Sequence, residues 1–249
     1  MAAPSPYKRV LLKISGESFC KRGEMGIDPD ALSHIASEIV HAAKSGVQIA
    51  VVTGGGNMIR GADLSVRLDI DQSTTDYMGM LGTVINGMAL KERLEQLGQP
   101  ARLMSAIDLP ALAESFVRKR ALRHFEKGRI VILAAGTGNP FFTTDTCASL
   151  RATELNCDVL LKATKVDGIY SEDPTINPDA TKYDTLSFRE AVDKQLGVMD
   201  ITAMSMCMEQ NLPIVVFNYQ ETGNIRRVVE GDVIGTTVSE TGVRETATH

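Results

Sequence analysis

Tryptophan is absent from this 249-residue chain, and aromatic residues supply only 5% of it. A core must therefore be assembled from Val, Ile, Leu, Ala and Met, the usual filling of a parallel sheet buried between helices. Cysteine is scarce: Cys20, Cys147, Cys157 and Cys207 form no CxxC pair, and no histidine stands at zinc-ligand spacing from them. This argues for a reducing, cytoplasmic setting and against a disulfide framework. No apolar run is long enough to cross a bilayer, and residues 1–6 lack the apolar stretch of a signal peptide. An excess of positive charge is also missing. The 26 basic and 31 acidic residues leave a net charge of -5, which argues against a general DNA- or RNA-binding surface. A mononucleotide is not excluded, because it needs only a few local cations and backbone N–H groups. Neither a Walker A loop nor a GxGxxG fingerprint occurs, so P-loop and Rossmann chemistry find no support.

What the chain does have is alternation. Short Val/Ile/Leu-rich runs at residues 10–14, 48–53, 101–104, 129–134, 158–163 and 214–217 read as strands. Between them, helices are predicted from Asp28-Pro29 onward and over 76–95, 111–126, 144–155, 187–195, 200–210 and 225–230. Residues 168–182 read as irregular, and a polar tail runs from 239 to 249. Strands alternating with helices predict a three-layer α/β/α sandwich around a mostly parallel sheet, as a single domain over residues 1–249 with flexible ends at 1–6 and 239–249. Ligands in such sheets bind beyond the carboxyl ends of the strands, which is where the glycine clusters fall.

Four segments there carry chemistry. In Lys13-Ile14-Ser15-Gly16-Glu17 a lysine closes the first strand beside a glycine turn, which suits a triphosphate or, more plainly, is a surface lysine beside a turn. Gly54-Gly55-Gly56-Asn57, with Arg60 shortly after, follows a buried strand directly. Consecutive glycines there either let a ligand approach the main chain or make a permissive loop, and Arg60 can fork onto phosphate oxygens. GTGNPFFTTD, residues 136–145, places hydroxyls, two adjacent aromatics and an aspartate at a helix start. Thr144 and Asp145 also have an ordinary reading as N-caps, and Phe141-Phe142 as core. In LKATKVDGIY, residues 161–170, Lys162 ends an otherwise apolar strand and must reach a cleft or a partner. Tyr170 and Asp173 stand beyond it, near a base and a ribose or as simple turn residues. His34, His41, His124 and His249 all lie outside these segments.

Taken in order, the segments resemble the amino acid kinase superfamily and, within it, the bacterial uridylate kinases. The resemblance runs from about residue 7 to about residue 235, with GTGNPFFTTD as its most specific stretch and LLKISGE, GGGNMIRG, DYMGMLGTVINGMAL and ARLMSAI in support. It implies reversible transfer of the γ-phosphoryl group of ATP to UMP, in pyrimidine nucleotide biosynthesis, with Mg²⁺ arriving on ATP and no metal site built by the protein alone. It implies that Lys13, Ile14, Ser15, Gly16, Gly56 and Arg60 line the ATP phosphates and that Thr164, Tyr170 and Asp173 hold the nucleoside end of ATP. Gly55, Asp76, Thr137, Gly138, Asn139, Pro140, Phe141, Phe142, Thr143 and Thr144 would surround UMP. Asp145 would orient Lys13 and Lys162 around the transferring group. It further implies a homohexamer inhibited by UTP. Residues 21–26, and Lys91 with Glu95, depart from the pattern of GTP-activated members.

Two other readings share part of this pattern. A superfamily kinase acting on a carboxylate or a small phosphate would keep the lysines and glycine loops but has no use for Asp76 and the Phe141-Phe142 loop. A nucleotide-binding regulator without turnover would not require Lys13, Asp145 and Lys162 together.

Overall fold

The fold is described from a computed structural model covering residues 5–59, 69–174, 176–177 and 179–242. Arg60 lies outside these described residues.

The first strand, β1 (Arg9–Ile14), is buried along almost its whole length. Such a strand needs cover on both faces, and two apolar layers supply it. Alternate side chains go to opposite sides: Val10, Leu12 and Ile14 join one cluster, and Leu11 the other. The first layer contains α1 (Pro29–Ala43), α2 (Gln72–Gln96) and α7 (Asn224–Val229). The second contains α3 (Arg118–Glu126), α4 (Thr144–Glu154), α5 (Phe188–Asp193) and α6 (Ile201–Glu209). Helix starts follow local chemistry. Asp28 accepts from the Ala31 N–H at 2.9 Å with Pro29 in the first turn, and Ser187 and Glu190 form a reciprocal capping box.

The remaining strands are β2 (Gln48–Thr53), β3 (Ala101–Ser105), β4 (Glu114–Ser115), β5 (Ile130–Ala134), β6 (Val159–Thr164), β7 (Ile169–Tyr170), β8 (Lys182–Tyr183), β9 (Thr185–Ser187), β10 (Ile214–Asn218) and β11 (Thr236–Ser239). Nine form one sheet in the order β4-β3-β5-β2-β1-β6-β10-β11-β9. Every pair is parallel except β10 with β11. The expected α/β/α sandwich is therefore present. Its centre is β2-β1-β6, whose carboxyl ends carry the glycine loop, the first lysine and the second lysine.

The structure corrects three local expectations. The helix expected over 111–126 begins only at Arg118, because Glu114 and Ser115 pair with Met104 and Ser105 as the edge strand β4. The stretch 168–182 is not wholly irregular: β7 and β8 form an antiparallel hairpin that brackets it. The polar tail expected from residue 239 is preceded by a strand the pattern did not show, since Thr236–Ser239 pairs with both β10 and β9 and is buried throughout.

Candidate functional site

Sheet register brings the two lysines together. Lys13 on β1 and Lys162 on β6 are direct partners in the parallel ladder, so their side chains leave the same face side by side. That face is covered by α4, whose first turn carries Asp145. One carboxylate meets both cations: Lys13 Nζ lies 2.8 Å from Asp145 Oδ1, and Lys162 Nζ donates to Oδ2 at 2.8 Å. Lys162 also donates to the Val198 carbonyl. All three side chains are at most 15% exposed. Asp145 sits at a helix N-terminus, so N–H dipoles and two ammonium groups converge on one small volume that favours anions.

The charges respond to this setting. Burial pushes the Asp145 carboxyl up, but Lys13 and Lys162 more than offset it and hold the group below the ordinary aspartate value. Burial pushes the Lys162 ammonium down, and Lys13 adds repulsion. Asp145 only partly counters both, so Lys162 loses its proton more readily than a free lysine.

A second carboxylate, Asp200, backs the cluster and was not singled out from the sequence. Thr143 donates to Asp200 Oδ2 at 2.5 Å, and the Thr146 hydroxyl lies 3.0 Å from the same oxygen. Asp200 also caps α6 by accepting from the Ala203 N–H at 3.0 Å. Its only sequence signal is the start of an apolar helical run, which is the signal of any N-cap. Thr143 in turn accepts from the N–H groups of Asp145 and Thr146 at 3.0 and 3.1 Å. Thr143 is therefore the true cap of α4, and Asp145 is left to serve the lysines.

The glycine loop is tight for two reasons. A Cβ on Gly54 would lie 2.6 Å from the Gly16 nitrogen, and one on Gly55 would lie 2.4 Å from the Gly79 carbonyl oxygen on α2. Both are therefore required by backbone packing. Gly56 is different: a Cβ there meets nothing within 4 Å, so the space beside its Cα is open, while its nitrogen lies close to Gly16. Asn57 holds the loop through a reciprocal amide pair with Asn86 of α2 (3.0 and 2.7 Å), and Asn86 also donates to the Gly54 carbonyl at 2.8 Å. The Ile14 side chain is buried in the core, and its carbonyl accepts from the Gly54 N–H at 2.9 Å. The Ser15 hydroxyl lies 3.3 Å from that of Ser18.

Between this loop and residues 136–144 lies a cleft of about 300 Å³. Of the expected acceptor residues, Gly55, Asp76, Thr137, Phe142, Thr143 and Thr144 line it, as does Gly56. Gly138, Asn139, Pro140 and Phe141 do not. Gly138 packs against Ala106, and the Phe141 ring is 68% exposed, so only one of the two aromatics faces the cleft. The Phe141 backbone still takes part, because its N–H donates to Asp76 Oδ2 at 2.7 Å.

A second cleft of about 570 Å³ is lined by Lys162 itself. Thr164, Tyr170 and Asp173, expected together from the resemblance, line it with Lys162 and Val198. The Tyr170 hydroxyl donates to Asp167 at 2.7 Å and Thr164 to the Val166 carbonyl at 2.7 Å. The two clefts share no lining residue, and the lysine cluster links them: Thr144 lines one, the adjacent Asp145 bonds Lys162, and Lys162 lines the other. Chemically this is a place for two anionic groups brought end to end.

Comparison with known proteins agrees with the geometry. The crystal structure of UMP kinase from Bacillus anthracis superposes with a TM-score of 0.92 at 38% identity, covering 94% of this chain and 97% of that one. UMP kinase from Ureaplasma parvum gives 0.88 at 36% identity, covering 93% and 98%. Uridylate kinase from Archaeoglobus fulgidus gives 0.70 at 27%, covering 92% and 99%. The amino acid kinase family matches over residues 8–218, and with that match and these relatives the chain belongs to the amino acid kinase family.

Proposed function

We propose that this protein is a UMP kinase, transferring the γ-phosphoryl group of ATP to a phosphate oxygen of UMP to give UDP and ADP. The observation that carries this reading is the Lys13–Asp145–Lys162 cluster, which links a cleft lined by Thr144 to a cleft lined by Lys162. UMP occupies the cleft of Gly55, Asp76, Thr137 and Phe142, and ATP enters from the cleft of Thr164, Tyr170 and Asp173. Phe141 takes Oδ2 of Asp76, so Oδ1 is the oxygen left for a ribose hydroxyl. The acceptor oxygen is already ionised at neutral pH, so no strong general base is needed. The protein's task is alignment and neutralisation of charge on the moving phosphoryl group. Lys13 and Lys162 supply the charge, and Asp145 fixes where they stand. The open space beside the Gly56 Cα leaves room for phosphate oxygens at this loop.

Mg²⁺ fits this donor set as an ion carried by ATP. Among the described residues no group of three or more Asp, Glu, His or Cys stands together, and Asp145 and Asp200 are the carboxylates beside the lysines that would help hold an ion arriving on ATP. Bound there, it would supply positive charge against the phosphates.

The deciding assay couples ADP formation to a readout with UMP, CMP, dCMP and AMP as acceptors. UMP should be strongly preferred. Binding of UMP without turnover would instead mark a sensor. The kcat/KM profile adds a second check, since it reports groups of the free enzyme. The folded pKa of Lys162 lies below the ordinary 10.5, so activity should fall on the alkaline side before that value is reached. A profile flat through pH 10.5 would remove the Lys162 ammonium from the rate-determining charge set.

The same reading includes self-association and a cytoplasmic enzyme of pyrimidine nucleotide synthesis, working as one domain and inhibited by UTP. Cys20, Cys147, Cys157 and Cys207 form no disulfide with one another, which suits a reducing compartment, and no helix among the described residues is long and apolar enough to cross a membrane. Tyr77, Leu81, Ile85 and Met88 recur every three or four residues along α2, and each is at least 40% exposed. Pairing of this stripe with its copy would provide one contact of a homohexamer. Leu81→Arg combined with Ile85→Glu should therefore give a smaller species by light scattering. An unchanged mass would move the contact elsewhere.

A further inference from the structure

Two non-glycine residues of the acceptor loop adopt left-handed backbone, Ala135 at φ 61° and Phe141 at φ 70°. Such conformations persist only where the surroundings over-determine them. In both cases the restraint comes from one helix. Asp76 of α2 holds Phe141, as described above. Two turns further along, Thr83 holds Ala135: the Ala135 N–H donates to Thr83 Oγ1 at 2.7 Å. Ala135 is fully buried, so this N–H has no solvent to turn to.

Thr83 is itself fixed. Its hydroxyl donates to the Met80 carbonyl at 2.6 Å, which turns an oxygen lone pair toward Ala135. Its backbone touches the other loop. The Thr83 carbonyl accepts from the Thr53 hydroxyl at 3.3 Å, immediately before the glycine loop, and a Cβ on Gly55 would lie 3.1 Å from the Thr83 nitrogen. One residue of α2 thus contacts the base of the acceptor loop and the base of the glycine loop at once.

We infer that Thr83 is a positioning residue: its hydroxyl locks Ala135 in the left-handed region and so sets the direction in which Gly136 and Thr137 leave β5 and enter the acceptor cleft. The inference rests on the UMP kinase reading for what that cleft binds. It differs from a packing role because only the hydroxyl matters, not the volume.

The test compares Thr83→Val, which keeps the branched shape, with Thr83→Ser, which keeps the hydroxyl. Thr83→Val should lower kcat/KM for UMP by about tenfold or more while KM for ATP stays within about twofold. Thr83→Ser should return both to within about twofold of the parent enzyme. Amide exchange in the peptide spanning residues 132–137 should speed up in Thr83→Val and not in Thr83→Ser. Should the valine variant fail to fold, Thr83→Ala serves the same comparison. Unchanged exchange with unchanged UMP kinetics overturns the inference. So do equal losses toward both substrates that serine does not recover, which would mark general packing. If the parent enzyme does not phosphorylate UMP, the functional reading falls, and the exchange measurement still decides the role of Thr83.

Discussion

Asp145→Asn should lower kcat by about 10²- to 10³-fold, equivalent to about 3–4 kcal/mol of transition-state stabilisation. The substitution keeps the size of the side chain and removes its charge. In the parent site one carboxylate separates two ammonium groups that the β1–β6 register forces to be neighbours. Asparagine can still accept a hydrogen bond from one lysine, but it cannot balance two buried cations. One lysine must then swing away or lose its proton, and Lys162, already inclined to lose it, is the one expected to change. KM values should move less than kcat, because the lysines matter most when charge builds on the phosphoryl group in flight. Stability gives an independent readout. The folded-state pKa of Asp145 lies below the ordinary 3.8. Its charge therefore stabilises the fold above that value, and the contribution is lost as pH falls through the folded-state pKa. The asparagine variant lacks this term, so its Tm should fall less between about pH 6 and about pH 3 than that of the parent. Near-normal turnover in a well-folded variant would take Asp145 out of the mechanism.

Lys162 was legible in the sequence because a lysine ending an apolar strand needs a cleft or a partner. Lys13 and Asp145 each had an ordinary local reading, as a surface lysine and an N-cap, and only the resemblance linked them to Lys162. Their meeting was not legible, because it depends on β1 and β6 being adjacent and in register, which no local pattern encodes. The acceptor loop was recognisable by composition. Its internal division was not: Phe142 faces the cleft and Phe141 faces out, a consequence of the left-handed turn at Phe141 that Asp76 holds. Two of the three consecutive glycines are absorbed by backbone packing and only Gly56 faces open space, a distinction that requires knowing where α2 passes.

The short strands escaped for a related reason. β4, β9 and β11 contain two to four residues and depend on partners outside their own segment, ten residues back for β4 and twenty or more residues away for β9 and β11. Thr236 and Thr237 carry no apolar pattern that marks a strand, yet both are buried. Thr236 is satisfied there because its hydroxyl accepts from the Ile169 N–H at 2.8 Å and donates to the Tyr183 carbonyl, one contact to each strand of the β7–β8 hairpin. A polar sequence can thus build interior structure when every polar atom finds a partner, and that is decided by topology. The segment 111–117 failed in the opposite sense. Its composition permits helix, but Glu114 and Ser115 are drawn into the ladder beside β3.

Asp76→Ala should separate the two clefts kinetically. The carboxylate accepts from the Phe141 N–H across 65 residues of sequence, and a hydrogen bond to a charged acceptor contributes about 1.5–3 kcal/mol. Its loss releases a left-handed residue beside the cleft and removes the oxygen available to a ribose hydroxyl. Both consequences fall on the acceptor side. KM for UMP should therefore rise by about tenfold to 100-fold. KM for ATP should stay within about twofold, because Thr164, Tyr170 and Asp173 belong to the β6–β7 region and share no lining residue with the cleft of Asp76. The loss of kcat should be smaller than for Asp145→Asn, since the lysine clamp stays intact and an acceptor that does bind still meets it. A larger rise in KM for ATP than for UMP would mean that donor and acceptor enter by the opposite doors. The lysine cluster would keep its role in that case, because it links the two clefts and serves a phosphoryl group arriving from either side.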